Sequence, residues 1–301
     1  MTDEGEPEDS GSTLPRRQLG RFLREAREGA GLTTERAAAI MEWHKSTLNR
    51  LERGLTEKVR VRDVVALCEI YGLNEDQTDV ARGLAEQTPA KSWWHAYGDL
   101  IPAWFNLYVG LETAAKELAV FQPLLIPGLL QSADYARAID RRYFPEDTEE
   151  ELERRVQLRH QRRHILTRSR QPTTASFVLH ESVLRTVVGN PAVMATQLRH
   201  VADAGTLANV EVRILPFHVG LPLGIALPPF TILDFAPGGR GKPGEPPLVY
   251  CESFTGSAYL EGRTDVLRCR QAFATLQQAS LDTRPSRDLL REIAREFGRD
   301  R

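Results

Sequence analysis

Residues 44–54, HKSTLNRLERG, spell a helix too short to stand alone, and this shortness constrains everything around it. An isolated helix of fewer than ~12–15 residues is marginal in water, so this one must lean on neighbours. Leu48 and Leu51 lie three apart and Thr47 and Leu51 four apart, which predicts one inward face. Lys45, Ser46, Asn49, Arg50 and Arg53 then fall on the outward arc. The flanking sequence supplies the neighbours. From Pro15, the residues Leu19, Phe22, Leu23 and Ala26 recur at helical spacing until GAGL stops them. Thr33 can cap a second helix with Ala37, Ala38 and Met41 on its inner side. Gly54 suits the position that closes the third helix. VRDVVALCEIYGL gives a fourth, with Val61, Val64, Val65, Leu67 and Cys68 mostly inward, and NEDQTDVARGLAEQ a fifth, with Asn74 as its cap. Five short helices over residues 14–87 predict a compact all-α domain.

The 301-residue chain is long enough for two domains. Residues 1–13 hold Gly, Pro, Ser and acids with almost nothing apolar, which predicts a disordered acidic tail. Residues 88–301 change texture and predict a mixed α+β domain. Aromatics concentrate in WWHAYGDLIPAWFNLYVG, which is expected to dock the linker onto that domain. AKELAVFQPLLIPGLLQSADYARAI reads as a helix or strand entering a proline turn, followed by a helix from about Leu129, and TEEELERRVQLRHQRRHILTRS as a long charged helix. TASFVLHES, VEVRILPF, FTILDF and LVYCES carry strand signals, and a sheet of four or five strands is expected. Helices are expected at PAVMATQLRHVADAG, RTDVLRCRQAFATLQQAS and PSRDLLREIAREFG.

The longest apolar runs, such as LLIPGLL, are broken by Pro and Gly and fall far short of a membrane span. The acidic N-terminus does not read as a signal peptide, and three cysteines without paired spacing argue against a disulfide framework. A cytoplasmic protein is expected. Its net charge of −2 hides an asymmetry: residues 14–62 hold twelve Lys or Arg against six acids. A local basic face matters more to a polyanion than the whole-chain sum.

No catalytic constellation emerges. His160 and His164 stand four apart in HQRRH, a spacing that can hold a metal, but arginines surround them and the glutamate of a zincin motif is missing. GGRGKPGEPP lacks the glycine a P-loop needs, and no serine sits in a nucleophile elbow. Cys251 and Cys269 read as buried small hydrophobes. No enzyme activity, cofactor or metal is expected. The aromatic stretch, with Trp93, Trp94 and Trp104, is more often core than pocket wall, yet it offers the best candidate walls for a ligand. Arg159 and Arg163, within the basic part of the charged helix, are candidates for an acidic partner; the alternative is that this helix's early glutamates and later arginines pair locally.

LTTERAAAIMEWHKSTLNRLERG resembles the core of the phage-repressor (Cro-like, or XRE-type) helix-turn-helix family, with Thr33, Glu35, Ala38, Ser46, Thr47, Arg50, Leu51, Glu52 and Gly54 matching its pattern. The turn departs from it: Glu42-Trp43 stands where Gly and a small apolar residue are usual. Either Glu42 adopts a left-handed conformation at some cost or the turn is built differently. The resemblance implies a lambda-repressor-like domain that binds double-stranded DNA with helix three in the major groove. By that docking Lys45, Ser46 and Arg50 face base edges, while Thr34, His44, Asn49 and Arg53 touch phosphates. Glu52 is expected to pair with an arginine inside the domain. FQPLLIPGLLQSADYARAI and LVYCESFTGSAYLEG in turn resemble the large C-terminal domain that many actinobacterial regulators attach to such a module. That resemblance implies a small partner protein encoded nearby and an antitoxin-like role. One short reading helix recognises few bases, so a homodimer is expected. Two readings stand side by side: a DNA-binding regulator whose second domain receives a signal, and an interaction module or small-ligand sensor whose helix-turn-helix is not the main activity.

Overall fold

The computed structural model describes residues 13–56, 58–88, 93–101, 103–236, 245–254 and 256–299. The acidic tail and most of GGRGKPGEPP therefore lie outside the described residues. Packing divides the chain into two compact units. The first takes the residues up to Ala96 together with Phe105–Ala114, and the second takes Tyr97–Trp104 with Ala115–Arg301.

In the first unit, α1 (Thr13–Gly29), α2 (Thr34–Ile40), α3 (Lys45–Glu52), α4 (Val61–Ile70) and α5 (Glu75–Gln87) enclose Leu19, Leu23, Ala38, Leu48, Leu51, Val64 and Leu67. A 3₁₀ turn at Trp93–Tyr97 then leads to α6 (Ala103–Ala114), most of which packs in this unit. The aromatic stretch thus divides between the two units, where the sequence reading had assigned it to the second. Caps form where short polar side chains precede helices. Thr33 Oγ1 accepts from the Arg36 amide at 3.1 Å, and Asn74 and Gln77 form a reciprocal capping box.

Four helix ends share one device, a residue of positive φ that turns the chain out of the helix. Gly31, Gly54 and Gly72 serve α1, α3 and α4 with φ of 68°, 69° and 70°. At α2 the same place is taken by Glu42, with φ 55°. The hydrogen bonds are those of its glycine counterparts: Glu42 N–H donates to Ala39 O at 3.1 Å and Trp43 N–H to Ala38 O at 2.8 Å. The turn is therefore built in the usual way, with a side chain where none is favoured.

The second unit is ordered around a six-stranded sheet, β3-β2-β1-β4-β5-β6, formed by β1 (Glu117–Gln122), β2 (Thr174–His180), β3 (Val210–Leu215), β4 (Phe230–Asp234), β5 (Leu248–Ser253) and β6 (Gly256–Leu260). β1, β2 and β3 run parallel; β4 to β6 are antiparallel, with Phe121 opposite Phe230 and Tyr250 opposite Tyr259. The expected four or five strands become six for two reasons. ELAVFQ is a short apolar run that periodicity cannot assign to helix or strand. GSAYL has small, partly buried residues and pairs only because the adjoining β5 offers it an edge.

Between β1 and β2 the chain crosses through α7 (Ala133–Tyr143) and α8 (Glu149–Thr167), and between β2 and β3 through α9 (Ser182–Arg185) and α10 (Pro191–Ala204). Such crossovers are what parallel neighbours require. The helix expected from Leu129 starts at Ala133, because Gly128–Leu130 forms a 3₁₀ turn and Ser132 caps the helix proper. α11 (Arg263–Ala279) places Val266, Phe273 and Leu276 in one cluster with Phe121, Phe230 and Val249 of the sheet, and α12 (Thr283–Arg299) packs on α10. Cys251 and Cys269 are partly buried free thiols, and burial raises the pKa of both.

The turn after α2 yields a prediction. A left-handed non-glycine residue costs ~1–2 kcal/mol, part of which glycine returns as unfolded-state entropy. Glu42→Gly should therefore raise stability by roughly 0.5–1 kcal/mol. Urea unfolding would show this as a higher midpoint at unchanged slope; an unchanged or lower midpoint would contradict it.

Candidate nucleic-acid interface

The outward face of α3 is presented by what holds its inward face. α1 comes so close that a Cβ on Gly20 would lie 2.6 Å from the carbonyl oxygens of both Leu51 and Glu52. One and two turns further along α1, Leu23 and Arg27 follow. Arg27 donates from Nε to Glu52 Oε1 at 2.6 Å, from a terminal nitrogen to Glu52 Oε2 at 3.0 Å, and from the other to Leu32 O at 2.7 Å. Glu52 is 4% exposed and Arg27 7%, so the pair is a buried, two-pronged clamp between the first and third helices. The hydrogen bond to Glu52 raises the pKa of Arg27. Tyr71 reports the same enclosed setting: its hydroxyl is buried without a hydrogen-bond partner among the described residues, and burial, followed by the Glu52 charge, raises its pKa. The expectation that Glu52 serves inside the domain is met, with Arg27 as the arginine.

With Leu48, Leu51 and Glu52 inward, the ~100° rotation per residue sends Ser46, Arg50 and Arg53 to the opposite side, and all three are exposed. Thr47, expected to face inward, is exposed as well. It sits about a quarter turn from the centre of the buried arc, whose third member is Glu52 on the far side of Leu48. His44 is the exposed N-cap of α3 and makes no capping bond with its side chain; Asn49 is partly buried. Thr34, the first residue of α2, is partly buried. Lys45 is exposed, but its ammonium pairs with Glu35 of α2, and this contact lowers the carboxyl pKa of Glu35. Arg50 rests one terminal nitrogen on Leu55 O at 3.4 Å, a long bond that leaves most of the guanidinium's donors available. Arg36, Lys58 and Arg60 add exposed cations nearby in sequence. Helical spacing from Leu48 and Leu51 marked the outward residues. Glu35 matched the family pattern, but nothing in the sequence marked it as the partner of Lys45, because that pairing depends on how α2 crosses α3.

The candidates in the second half of the chain fare unevenly. Trp94 is 1% exposed and packs edge-to-face on Trp93 at 5.7 Å, so it is part of a core. Trp93 is partly buried, and the side chain of Trp104 lies outside the described residues. Arg159 is not free for a partner: it grips Asp140, which is 1% exposed, through two bonds of 2.5 and 2.7 Å. Arg163 is partly buried. Several charges of α8 find their partners outside the helix. Arg154 reaches Asp99, Arg155 reaches Asp147, Glu149 meets Arg141 and Glu153 meets Arg137. Among the described residues no group of three or more His, Cys, Asp or Glu side chains is placed to hold a metal ion, and no helix is long and apolar enough to cross a membrane.

A clamped, outward-facing short helix after a tight turn defines a helix-turn-helix protein, here joined to a sheet-containing second unit. A helix-turn-helix domain profile matches residues 18–81. The chain belongs to the family that shares a domain of unknown function, DUF5753, whose profile matches residues 105–292. No curated protein and no solved structure matches the chain.

The clamp is testable. Glu52→Ala strands the Arg27 charge in the interior and should cost about 3–5 kcal/mol, whereas adding Arg27→Met should recover most of that loss. Chemical unfolding of the full chain measures both. A single-variant loss below about 1 kcal/mol would mean that the pair does not hold α3.

Proposed function

We propose that this chain is a sequence-specific transcriptional regulator of the XRE type, with α3 reading the major groove of double-stranded DNA. The observation that carries the reading is the exposed stripe Ser46, Arg50 and Arg53, directly opposite the buried Leu48, Leu51 and Glu52, on the third helix of a helix-turn-helix domain. Arg50 brings a planar fork suited to guanine O6 and N7, and Ser46 can serve either side of a base pair. Lys45 joins them once its ion pair with Glu35 opens. His44 and Thr34, at the starts of α3 and α2, with Asn49 and Arg53, are assigned to phosphates.

One such helix reads few base pairs, so the regulator is assigned a homodimer on a pseudo-palindromic site. We place it in the cytoplasm and assign it no enzymatic role. The second unit, far larger than dimerisation requires, is assigned the reception of a signal. The resemblance to actinobacterial regulators makes a small neighbouring protein, in an antitoxin-like arrangement, the first candidate for that signal.

Selection from a randomised duplex library tests the reading. Arg50→Ala should cost ~1–3 kcal/mol on the preferred site and relax the preference at one position, while Arg53→Ala should weaken all sequences alike. Uniform losses from both variants would overturn the division into base and phosphate contacts. Absence of any enriched sequence with the unaltered chain would overturn the function.

A further inference from the structure

β1, β2 and β3 run parallel and end almost level, with Gln122 opposite Leu179 and His180 opposite Leu215. β4 starts beside the end of β1, since Phe230 lies opposite Phe121. The segment after β3 must therefore run along the ends of β2 and β1 before it enters the sheet again. β5 finishes on the same side, because Cys251 lies opposite Phe230. The loops after β1, β3 and β5 thus share one rim of the sheet.

This rim is tied together, apolar and poor in charge. Ser182 Oγ donates to Pro123 O at 2.7 Å, and Phe217 N–H donates to Glu181 Oε2 at 3.0 Å. The Phe217 ring packs edge-to-face with His180, ring centres 5.1 Å apart. Val219 and Leu227 anchor the long loop on the core cluster of the sheet. Around these anchors the side chains face water: Leu124, Leu125, Phe217, Leu221, Ile225 and Phe254 are 41% to 91% exposed. Neither residues 118–133 nor residues 214–233 include an Asp, Glu, Lys or Arg. At ~200 Å² for a fully exposed large side chain, these six leave roughly 700 Å² of apolar surface, more than the about 300–600 Å² of the largest patch on a typical monomer.

We propose that two copies of the chain join through this rim. The inference rests on the homodimer assigned above and gives it an interface. A transient partner would leave the rim bare between encounters, whereas a second copy is present whenever the chain is and can cover it permanently. Permanent interfaces between like chains are the apolar ones, with charge depleted at their core. A surface that meets itself across a two-fold axis brings like residues together, so a charged rim would repel itself and an uncharged one does not. Two such rims supply about 1,400 Å², within the ~1,200–2,000 Å² of a stable interface.

Sedimentation equilibrium of the full chain at micromolar concentration tests the interface, with circular dichroism to confirm that each variant is folded. The unaltered chain, 33.8 kDa, should sediment at twice that mass. Leu221→Glu combined with Ile225→Glu places like charges across the two-fold axis and should weaken dimerisation about a hundredfold. Leu124→Glu, in the loop after β1, should weaken it about tenfold, and it carries the comparison should the double variant fail to fold. Leu267→Glu alters a similarly exposed side chain on α11, which follows β6 from the opposite end of the sheet, and should leave the mass unchanged. A monomeric unaltered chain would overturn both this interface and the homodimer. A dimer that survives the glutamates in the folded rim variants, or that Leu267→Glu disrupts equally, would overturn the interface alone.

Discussion

The orientation of α3 depends on a charge pair that is almost wholly shielded from water. Arg27 spans from α1 to Glu52 at the end of α3, and Gly20 lets the two helices approach until backbone meets backbone. An eight-residue helix cannot hold its own direction, and its two inward leucines fix its depth better than its rotation. A bidentate pair is directional. It sets the angle of Glu52 about the helix axis, and hence the angle at which Ser46, Arg50 and Arg53 leave the opposite side. The desolvation cost of such a pair means that its contribution lies in geometry as much as in net stability.

The same logic at the turn between α2 and α3 explains why an unfavourable residue is tolerated. Glu42 occupies a left-handed position that three other helix ends give to glycine, yet it preserves both hydrogen bonds of the turn. Those bonds fix the approach of α2 to α3, and with it the contact between Glu35 and Lys45. The Lys45 ammonium is thus positioned by the turn.

Legibility from sequence followed the range of the forces involved. Local signals were readable: Thr33 and Asn74 as caps, Gly54 as a helix end, and Leu48 and Leu51 as an inward seam. Partners distant in sequence were not. That Glu52 needed an arginine was legible, but only packing selects Arg27, twenty-five residues away. Thr47 was misplaced because a four-residue spacing to Leu51 cannot distinguish the centre of a helix face from its edge. In the second unit β6 has no alternation of its own and exists through β5. The sequence left the charges of α8 open between an acidic partner and local pairing, and Asp99 and Asp140 from outside the helix answer Arg154 and Arg159.

The central claim is that the clamped stripe on α3 meets the phosphates and bases of duplex DNA, and salt dependence tests it most directly. The affinity of the full chain for a duplex recovered by selection should fall linearly as the logarithm of salt concentration rises, with a slope of about −0.9 for each phosphate neutralised. Glu52→Ala, tested below its unfolding temperature, should lose the distinction between that duplex and a scrambled one. Binding that ignores salt, or discrimination that survives with the clamp removed, would contradict the account.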